Sequence, residues 1–327
     1  MRIILFTISL IVTQSAFAQF INRTNWDDNR HQIEWGIGTA NFLGDLGGKD
    51  DIGTNDLQDL EKTEFNLGGY LGYKYAIYKK FYGRANLSYA RLSGDDRLTL
   101  EPFRNNRNLH FRTNVFEFAL MAEYEIPINF RKGHIYDIKG ASGWKAGGSS
   151  FFIFAGIAAF YFNPKAQVDE EWVELKPLRT EGQGLPGGPD EYNRVSIALP
   201  IGAAITKKIS KTMSLGFELT YRYTFTDYID DVSTSYFSPY DIDLYNEQGT
   251  GDLAAYLSNP SLGVEHEGLG NVVTAPGQQR GDESDDDGYM ILTVRGQYLL
   301  SNIGGYRTGY RKVKFKKRVR GAKRITF

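Results

Sequence analysis

The sequence predicts an all-β fold, an antiparallel transmembrane β-barrel of eight strands with long outer loops and both termini on the periplasmic side. Three observations predict it: eight segments alternate apolar and polar residues, aromatic residues cluster near the ends of these segments, and long connections alternate with short ones. Each segment spans roughly ten residues, the length that a tilted membrane strand requires. Strands of a soluble β-sandwich, the alternative fold, are commonly about five or six residues long.

The eight segments show the alternation with different clarity. The clearest is 213–225, where Phe217 and Tyr221 fall on one face while Glu218 and Arg222 fall on the other. Successive side chains of a strand point to opposite faces, so this pattern predicts a lipid-facing side and an inward-facing side. In chain order, the predicted strands are 32–40, 65–75, 81–92, 114–126, 151–162, 195–205, 213–225 and 289–300.

Two features depart from this simple pattern. The segment 127–150 is long, although a short periplasmic turn is expected there. It is either a periplasmic contact loop or a segment that conceals a strand and raises the count to ten. Pro200 lies inside the sixth predicted strand, where it cannot donate to the hydrogen-bond ladder and indicates a bulge or an edge.

The composition excludes several classes of protein. The 327 residues include no Cys, which excludes disulfide frameworks, thiolate zinc sites and Cys nucleophiles. Lys and Arg together number 38 and Asp and Glu 39, for a net charge of −1, so a globally basic nucleic-acid binder is excluded. We expect no nucleic-acid partner and no small-molecule substrate.

The N-terminal residues have the pattern of an export signal. Arg2 precedes an apolar run, and Ala16 and Ala18 give the small-x-small spacing of a cleavage site. The sequence therefore predicts a signal peptide over 1–18, a barrel over 19–300 and a basic periplasmic tail over 301–327. The expected location is the outer membrane of a Gram-negative bacterium, with its lipid as a partner.

Charged residues recur on the predicted inward face. An eight-stranded barrel has a lumen just wide enough for side chains to fill, and an unpaired charge buried there costs several kcal/mol. Mixed signs therefore predict an ion-pair plug, with a gated or proton-conducting path as the alternative. Lys74 and Glu117 also face inward. The predicted interior network comprises Glu34, Arg84, Glu123, Glu218, Arg222 and Arg295.

Charge is segregated between the last outer loop and the tail. Residues 226–288 contain 14 acidic residues and one base, Arg280, whereas residues 301–327 contain ten bases and no acid. A basic periplasmic tail with interleaved apolar residues suits docking on an acidic protein surface or on phosphates. The predicted partner-binding residues are Arg307, Arg311, Lys312, Lys314, Phe315, Lys316, Lys317, Arg318 and Arg320.

Catalytic and metal-binding motifs are missing from the sequence. It contains no GxSxG, P-loop, GxGxxG or HExxH pattern. The run from Asp282 to Gly288 resembles the start of a calcium loop, but the frame that ends its first half at Gly288 fails because its last position is Val294, not an acid. We therefore expect no enzyme, no cofactor and no metal site. Loose calcium binding by the acidic loop and a rim enzyme using Asp227, Asp230, Asp231 and His266 remain alternatives.

Short motifs add a resemblance to a known family. His31 to Gly38, Asn41 to Gly48, Phe237 to Asp241 and Asp287 to Tyr289 together resemble the PorG family of outer-membrane barrels from the type IX secretion system. The resemblance implies a non-enzymatic barrel attached to a periplasmic ring of PorK-like and PorN-like subunits. It also implies a role in protein secretion and, in some bacteria, in gliding motility. The basic tail departs from the family pattern.

The motif Gly44-Asp45-Leu46-Gly47-Gly48 lies at the outer end of the first predicted strand. Glycine permits a tight bend there, so we expect a structural role rather than ligand binding. The sequence thus predicts a structural subunit of a secretion complex. An OmpA-like or OmpX-like barrel with adhesive or protective outer loops is the alternative.

Overall fold

The computed structural model describes residues 30–46, 66–98, 102–128, 148–210, 212–246, 249–263 and 273–300. The predicted signal peptide and the basic tail lie outside these residues. The described parts contain ten strands and three α-helices. Eight of the strands are long and form the barrel: β1 (His31–Leu43), β2 (Asn66–Tyr78), β3 (Phe81–Asp95), β4 (His110–Pro127), β5 (Ser149–Tyr161), β8 (Val195–Lys208), β9 (Met213–Thr224) and β10 (Gly288–Leu299).

Continuous antiparallel pairing closes these eight strands into a ring. Each pairs with its neighbours in the chain, and β1 pairs with β10 from Gln32↔Leu299 to Leu43↔Gly288. β4 pairs directly with β5 from Phe116↔Tyr161 to Pro127↔Ser150, which leaves no position between them for additional strands. The predicted eight-stranded barrel is therefore confirmed, and the ten-stranded alternative is wrong.

The two remaining strands form a short hairpin outside the ring. β6 (Lys165–Val168) pairs with β7 (Glu171–Glu174), and one pair, Arg112↔Lys165, joins β6 to β4. Lys165 thereby extends the sheet beyond the end of β5, where the chain turns away from the barrel wall.

The outer surface of the barrel is apolar, and the charged side chains of its strands face inward. The middle positions of the strands expose large aliphatic and aromatic side chains, whereas the buried alternate positions carry the charges together with aromatic and small apolar side chains. This arrangement is the reverse of a soluble protein and matches a strand surface in contact with lipid. The exposed apolar residues at these middle positions include Ile37, Leu71, Leu87, Leu120, Ile157, Ile201, Phe217 and Leu292.

Aromatic side chains are exposed near both ends of the strands. Near the end with short turns they include Tyr73, Tyr78, Phe81, Tyr124 and Tyr298, and near the other end Phe116, Tyr161, Tyr223 and Phe225. Two such girdles are typical of barrels whose apolar band spans a bilayer. Among the described helices, none has both the length and the apolar character needed to cross a membrane.

The connections at the two ends of the barrel differ in length. At one end, Lys79 and Lys80 link β2 to β3, and residues 209–212 link β8 to β9. The β4–β5 connection also lies at this end, and its residues 129–147 are outside the described ones. It is the one long connection at this end, as the sequence indicates. The other long connections emerge at the opposite end, so the predicted alternation is confirmed with this exception. We call their described residues, 44–46, 96–98, 102–109, 162–194, 225–246, 249–263 and 273–287, the cap.

Helices and a second apolar cluster organise the cap. It contains α1 (Pro102–Arg107), α2 (Pro239–Tyr245) and α3 (Gly251–Ser258). α2 starts with Pro in its first turn, and the Ser238 hydroxyl accepts from the Asp241 amide at 3.3 Å, which caps the helix. Ile242, Ala254 and Leu257 from these helices pack with Leu175 and Leu178. The described parts of the acidic segment 226–288 are therefore part of a folded layer over the barrel end.

Pro200 sits in a central strand. Its pairing with Arg222 of β9 is in register, but the ladder to β5 lacks the two pairs between Ala198↔Ala158 and Ile201↔Ala155. Two residues are skipped on each strand, so the register is kept. The prediction of a bulge or an edge at Pro200 is therefore wrong. Because proline has no N–H, the hydrogen-bond ladder between β8 and β5 is interrupted locally instead.

Candidate functional site

A cluster of six charged side chains occupies the middle of the barrel. All six are almost completely buried, because each lies at an inward position of a strand whose alternate residues face outward. The three acids and three bases balance. The members are Glu34 on β1, Lys74 on β2, Arg84 on β3, Glu123 on β4, Glu218 on β9 and Arg295 on β10.

Arg295 contacts all three acids of this cluster. Its Nη2 lies 2.5 Å from Glu34 Oε1 and 2.8 Å from Glu123 Oε2. Its Nη1 lies 3.1 Å from Glu218 Oε2. A guanidinium presents donors in a planar fork, so one side chain can bridge three carboxylates on three strands.

Arg84 and Lys74 complete the network from neighbouring strands. Arg84 Nη2 lies 2.7 Å from Glu218 Oε1, and Arg84 Nε lies 3.0 Å from Glu34 Oε2. Lys74 Nζ pairs with Glu123 and lies 3.4 Å from Glu34 Oε1. Every acid therefore meets at least two bases, which compensates the cost of burying its charge.

Aromatic and amide groups fill the space around the charges. Lys74 Nζ lies 4.1 Å from the centre of the Tyr82 ring, and the Arg84 guanidinium lies 4.7 Å from that of Tyr70. These are cation–π distances. The Tyr70 hydroxyl donates to Glu218 Oε2 at 3.0 Å. Together these groups make the middle of the barrel a packed polar plug.

Arg222 belongs to a second layer, closer to the cap. Its Nε donates to Glu117 Oε2 at 2.9 Å, and the Tyr289 hydroxyl donates to the same oxygen at 2.8 Å. The predicted single network is therefore divided into two layers, with Arg222 paired to Glu117 and the other five residues joined by Lys74. Arg222 lies four residues beyond Glu218 along β9, too far along the barrel axis to share its partners.

Lys74 and Glu117 are part of the site although the predicted network omitted them. Both belong to the inward set by alternation alone, and both make ion pairs. The sequence signal was sufficient to place them inside the barrel. Their partners lie on other strands, at depths set by the register between strands.

A group of buried and partly buried carboxylates joins the cap to the barrel end. The Asp230 carboxylate accepts from the amides of Leu46 at 3.0 Å and Val232 at 2.9 Å. Asp287 Oδ2 accepts from the Ile229 amide at 2.8 Å, and Asp45 Oδ2 from the Asp282 amide at 2.8 Å. These three acids tie together the chain segments that follow β1, follow β9 and precede β10, and Asp227 is buried beside them.

Burial and mutual repulsion perturb these acids. Burial, with the nearby Asp230 carboxylate, raises the pKa of Asp227 to about 10. Burial also raises the pKa of Asp45 to about 6 and holds those of Asp230 and Asp287 well above their usual range. The cluster therefore retains protons under conditions in which exposed acids are ionised.

Two arginines of the cap are fixed by carboxylates of their own. Arg107 Nε donates to Asp96 Oδ2 at 2.7 Å, and Arg280 Nη1 donates to Glu181 Oε1 at 2.8 Å. Arg107 Nη1 also donates to the Arg280 carbonyl at 2.6 Å, so the two pairs form one unit. Arg280, the single base among residues 226–288, thus has a structural position.

The aspartates of the alternative rim enzyme occupy structural positions among hydrogen-bond donors of the cap. Asp230 is buried among backbone amides, and Asp231 accepts from Thr180 Oγ1 at 2.5 Å and from the Tyr192 hydroxyl at 2.6 Å. His266 lies outside the described residues. In the part of the chain that the structure describes, no group of three or more His, Asp or Glu residues is arranged to hold a metal ion.

The predicted partner-binding residues from Arg307 to Arg320 lie outside the described residues. β10 ends at Leu299, at the barrel end that carries the short turns and the start of β1. The chain therefore enters the basic tail at the end opposite the cap.

Comparisons with known proteins identify a family and a few similar folds. The model of a family described as a domain of unknown function, DUF6089, matches residues 13–243. No curated protein matches the chain.

Three solved structures are similar to this chain at 8% sequence identity, each over 83% of its residues. Neisserial surface protein A has a TM-score of 0.37 with 97% of its own chain covered. Ail, the attachment invasion locus protein of Yersinia pestis, has a TM-score of 0.34 with 98% covered. The N-terminal β-barrel domain of Pseudomonas aeruginosa OprF has a TM-score of 0.31 with 98% covered.

Proposed function

We propose that this chain, which belongs to the DUF6089 family, acts as a non-enzymatic structural anchor in the outer membrane rather than as a channel. The observation that carries the proposal is the neutral ion-pair plug in the middle of the barrel. Arg295 alone contacts three acids on three different strands, so the strands are cross-linked through the lumen. A barrel filled in this way offers a rigid wall and two ends for binding, and no open path.

The process that the anchor serves is proposed to be type IX protein secretion, with gliding motility in bacteria that glide. The support is the resemblance of the motifs around Gly36, Gly44 and Pro239 to the PorG family, together with the basic tail. The tail carries ten bases without an acid and follows β10 at the end opposite the cap. Its partners would be acidic surfaces of PorK-like and PorN-like ring subunits, attracted by charge.

Removing the positive charge of four tail lysines tests whether the tail docks on the ring subunits. Lys312, Lys314, Lys316 and Lys317 are changed together to Gln in one variant and to Arg in a matched control. Recovery of the ring subunits with the detergent-extracted barrel should fall in the Gln variant and persist in the Arg variant, while both keep the heat-dependent gel shift of a folded barrel. Equal recovery of the ring subunits with both variants would exclude docking by tail charge.

A second candidate function is that of an OmpA-like or OmpX-like barrel with adhesive or protective outer loops. The folded cap favours it, because α2 and α3 expose Tyr240, Leu244 and Tyr256 at the surface. Changing Tyr240 and Leu244 to Ser would reduce cell attachment or serum survival under this alternative. It would leave recovery of the ring subunits unchanged under the first proposal.

A further inference from the structure

Two arginines lie on the outward face of the barrel wall, near the cap. Arg91 of β3 is directly opposite Asn114 of β4, and Arg112 of β4 is directly opposite Ser93 of β3. All four positions alternate with buried ones, so these side chains point away from the lumen. Arg91 and Arg112 are therefore diagonal neighbours on one face, with backbones about 7–8 Å apart.

The position of this pair along the barrel axis is the edge of the apolar band. The exposed ring of Phe81 marks the opposite edge, and Arg91 follows ten residues later on β3. Ten residues span about 34 Å along a strand, or about 26 Å along the barrel axis at a tilt of about 40°. Because the band of such a barrel is about 25 Å tall, the two guanidinium groups reach the level of the lipid headgroups.

No carboxylate neutralises these two guanidinium groups. Within the ranges that the structure describes, neither Arg91 nor Arg112 forms an ion pair, and their positive charges repel each other. Asp95, the acid on the same face of β3, pairs with Arg97 at 2.5 Å. Two like charges held together in this way form a local positive patch that attracts an anion.

Contacts within the protein orient both side chains. The Arg112 guanidinium lies 3.7 Å from the centre of the Trp172 ring on β7, a close cation–π contact. Arg91 Nε donates to Asn114 Oδ1 at 3.4 Å, and the Tyr89 hydroxyl donates to the same oxygen at 3.0 Å. A guanidinium has five N–H donors, so these contacts leave donors of both arginines for a ligand.

The pair thus combines oriented positive charge with a position at the headgroup level. A guanidinium binds a phosphate through two parallel charge-assisted hydrogen bonds. We propose that Arg91 and Arg112 bind the phosphate of an anionic membrane lipid in the leaflet on the cap side. The acyl chains of this lipid lie against the apolar band beside Tyr89 and Phe116, whose ring centroids are 5.3 Å apart. The inference rests on the proposed membrane position of the barrel, and not on the ring partners of the tail.

Native mass spectrometry of the full chain, released from neutral detergent micelles, counts the bound lipids. Dioleoyl phosphatidic acid is compared with dioleoyl phosphatidylcholine, which has the same chains but no net charge, and with glycerol 3-phosphate, which has a phosphate but no chains. We expect phosphatidic acid to bind at least about tenfold more tightly than the other two, with a dissociation constant that rises with salt.

Substitutions at the pair and elsewhere in the cap locate the lipid. Arg91→Gln and Arg112→Gln should each raise the dissociation constant for phosphatidic acid about tenfold, because each removes a charge-assisted contact. Arg112→Lys keeps the charge and should recover part of the affinity. Arg179→Gln removes a basic side chain that is 36% exposed and paired with Glu191, so it should leave binding unchanged.

Three results would overturn the proposal. Equal binding of phosphatidic acid and phosphatidylcholine to the unchanged chain would show that no anion is selected. Binding of glycerol 3-phosphate as tight as that of phosphatidic acid would indicate a site for soluble phosphates. Equal affinities in Arg91→Gln, Arg112→Gln and Arg179→Gln would mean that the lipid binds elsewhere.

The heat-dependent gel shift in phosphatidylcholine vesicles tests the membrane position separately. A chain that does not fold there contradicts the proposed anchor, whereas a folded chain that does not select phosphatidic acid contradicts the lipid site alone. The same gel shift verifies that each variant is folded.

Discussion

Arg295 Nη2 donates to Glu34 Oε1 at 2.5 Å across the seam between β10 and β1, although the two residues are 261 positions apart in the chain. Both side chains are completely buried. The bond therefore joins β1 and β10, the first and last described strands, inside the barrel at the seam that closes the ring. The ion pairs of the plug thus also hold the ring closed.

Removing Arg295 should strongly destabilise the barrel. In Arg295→Ala, three buried acids face only Lys74 and Arg84, so we expect a loss of about 3–5 kcal/mol in the free energy of unfolding. Urea titration followed by the heat-dependent gel shift measures it. Arg97→Ala is the control, because the side chain of Arg97 is 58% exposed and its ion pair with Asp95 contributes at most about 1 kcal/mol. Equal urea midpoints for the two variants would contradict a cooperative plug.

Exchanging the charges of Glu117 and Arg222 in the second layer should distinguish the stabilisation that comes from their pairing from the cost of burying each charge. Glu117→Arg or Arg222→Glu places two like charges next to each other inside the barrel, so each single variant should unfold more easily. The double variant restores one acid and one base, and we expect a favourable coupling energy of about 1–3 kcal/mol in the cycle. Additive effects of the two substitutions would show that the pair does not act as a unit.

The acid cluster should make the cap more stable at pH 5 than at pH 9. Burial raises the pKa of Asp45 to about 6 and that of Asp227 to about 10, from an ordinary value of 3.8. For acids with raised pKa values, folding favours the protonated form, so their contribution is fully present below the ordinary value. It is lost as the pH rises through the folded values. The hydrogen-exchange protection factors of residues 226–246, which correct for the faster intrinsic exchange in base, should therefore be lower at pH 9 than at pH 5.

Neutralising one member of the acid cluster should reduce this pH dependence. Asp227→Asn keeps the shape of the side chain but cannot ionise, so the protection factors at pH 9 should approach those at pH 5. Asp252→Asn, on the exposed side of α3, is the matched control and should behave as the unchanged protein. The same loss of protection at pH 9 in both variants would exclude the cluster as its cause.

A charge in the apolar band should be far more costly than one on the cap. Leu71 is 60% exposed in the middle of β2, and Leu262 is 61% exposed in the cap. We expect Leu71→Arg to cost about 2–4 kcal/mol when the barrel folds into vesicles, because the charge meets hydrocarbon. Leu262→Arg should have little effect on the folded fraction. Equal folded fractions for the two variants would mean that the band does not contact lipid.

The eight strands and their inward faces could be predicted from the sequence, because the alternation of apolar and polar residues is visible within each segment by itself. Alternation fixes which side of a strand a residue occupies, as it did for Glu34, Lys74 and Glu218. The depth at which an inward residue meets another depends on the pairing between strands. Alternation alone therefore predicts a single network that contains both Arg222 and Glu218, whereas the partner of Arg222 in the structure is Glu117.

Segment 127–150 and Pro200 show that the pattern within one segment does not predict how that segment pairs with its neighbours. The length of 127–150 left room for a hidden strand, and only the direct pairing of β4 with β5 excluded it. Pro200 signalled an irregular ladder correctly, but whether a missing donor produces a bulge or a gap depends on the neighbouring strand.

The sequence alone determined the barrel fold, the positions of its eight long strands and which side chains of each strand face inward. Only the tertiary structure decided that β4 pairs directly with β5, which charges pair in the plug, and that Asp227, Asp230 and Asp287 are buried at the base of the cap. The physical reason is that a strand repeats its environment every second residue, whereas a loop residue acquires its environment from segments that become neighbours only after the ring has closed.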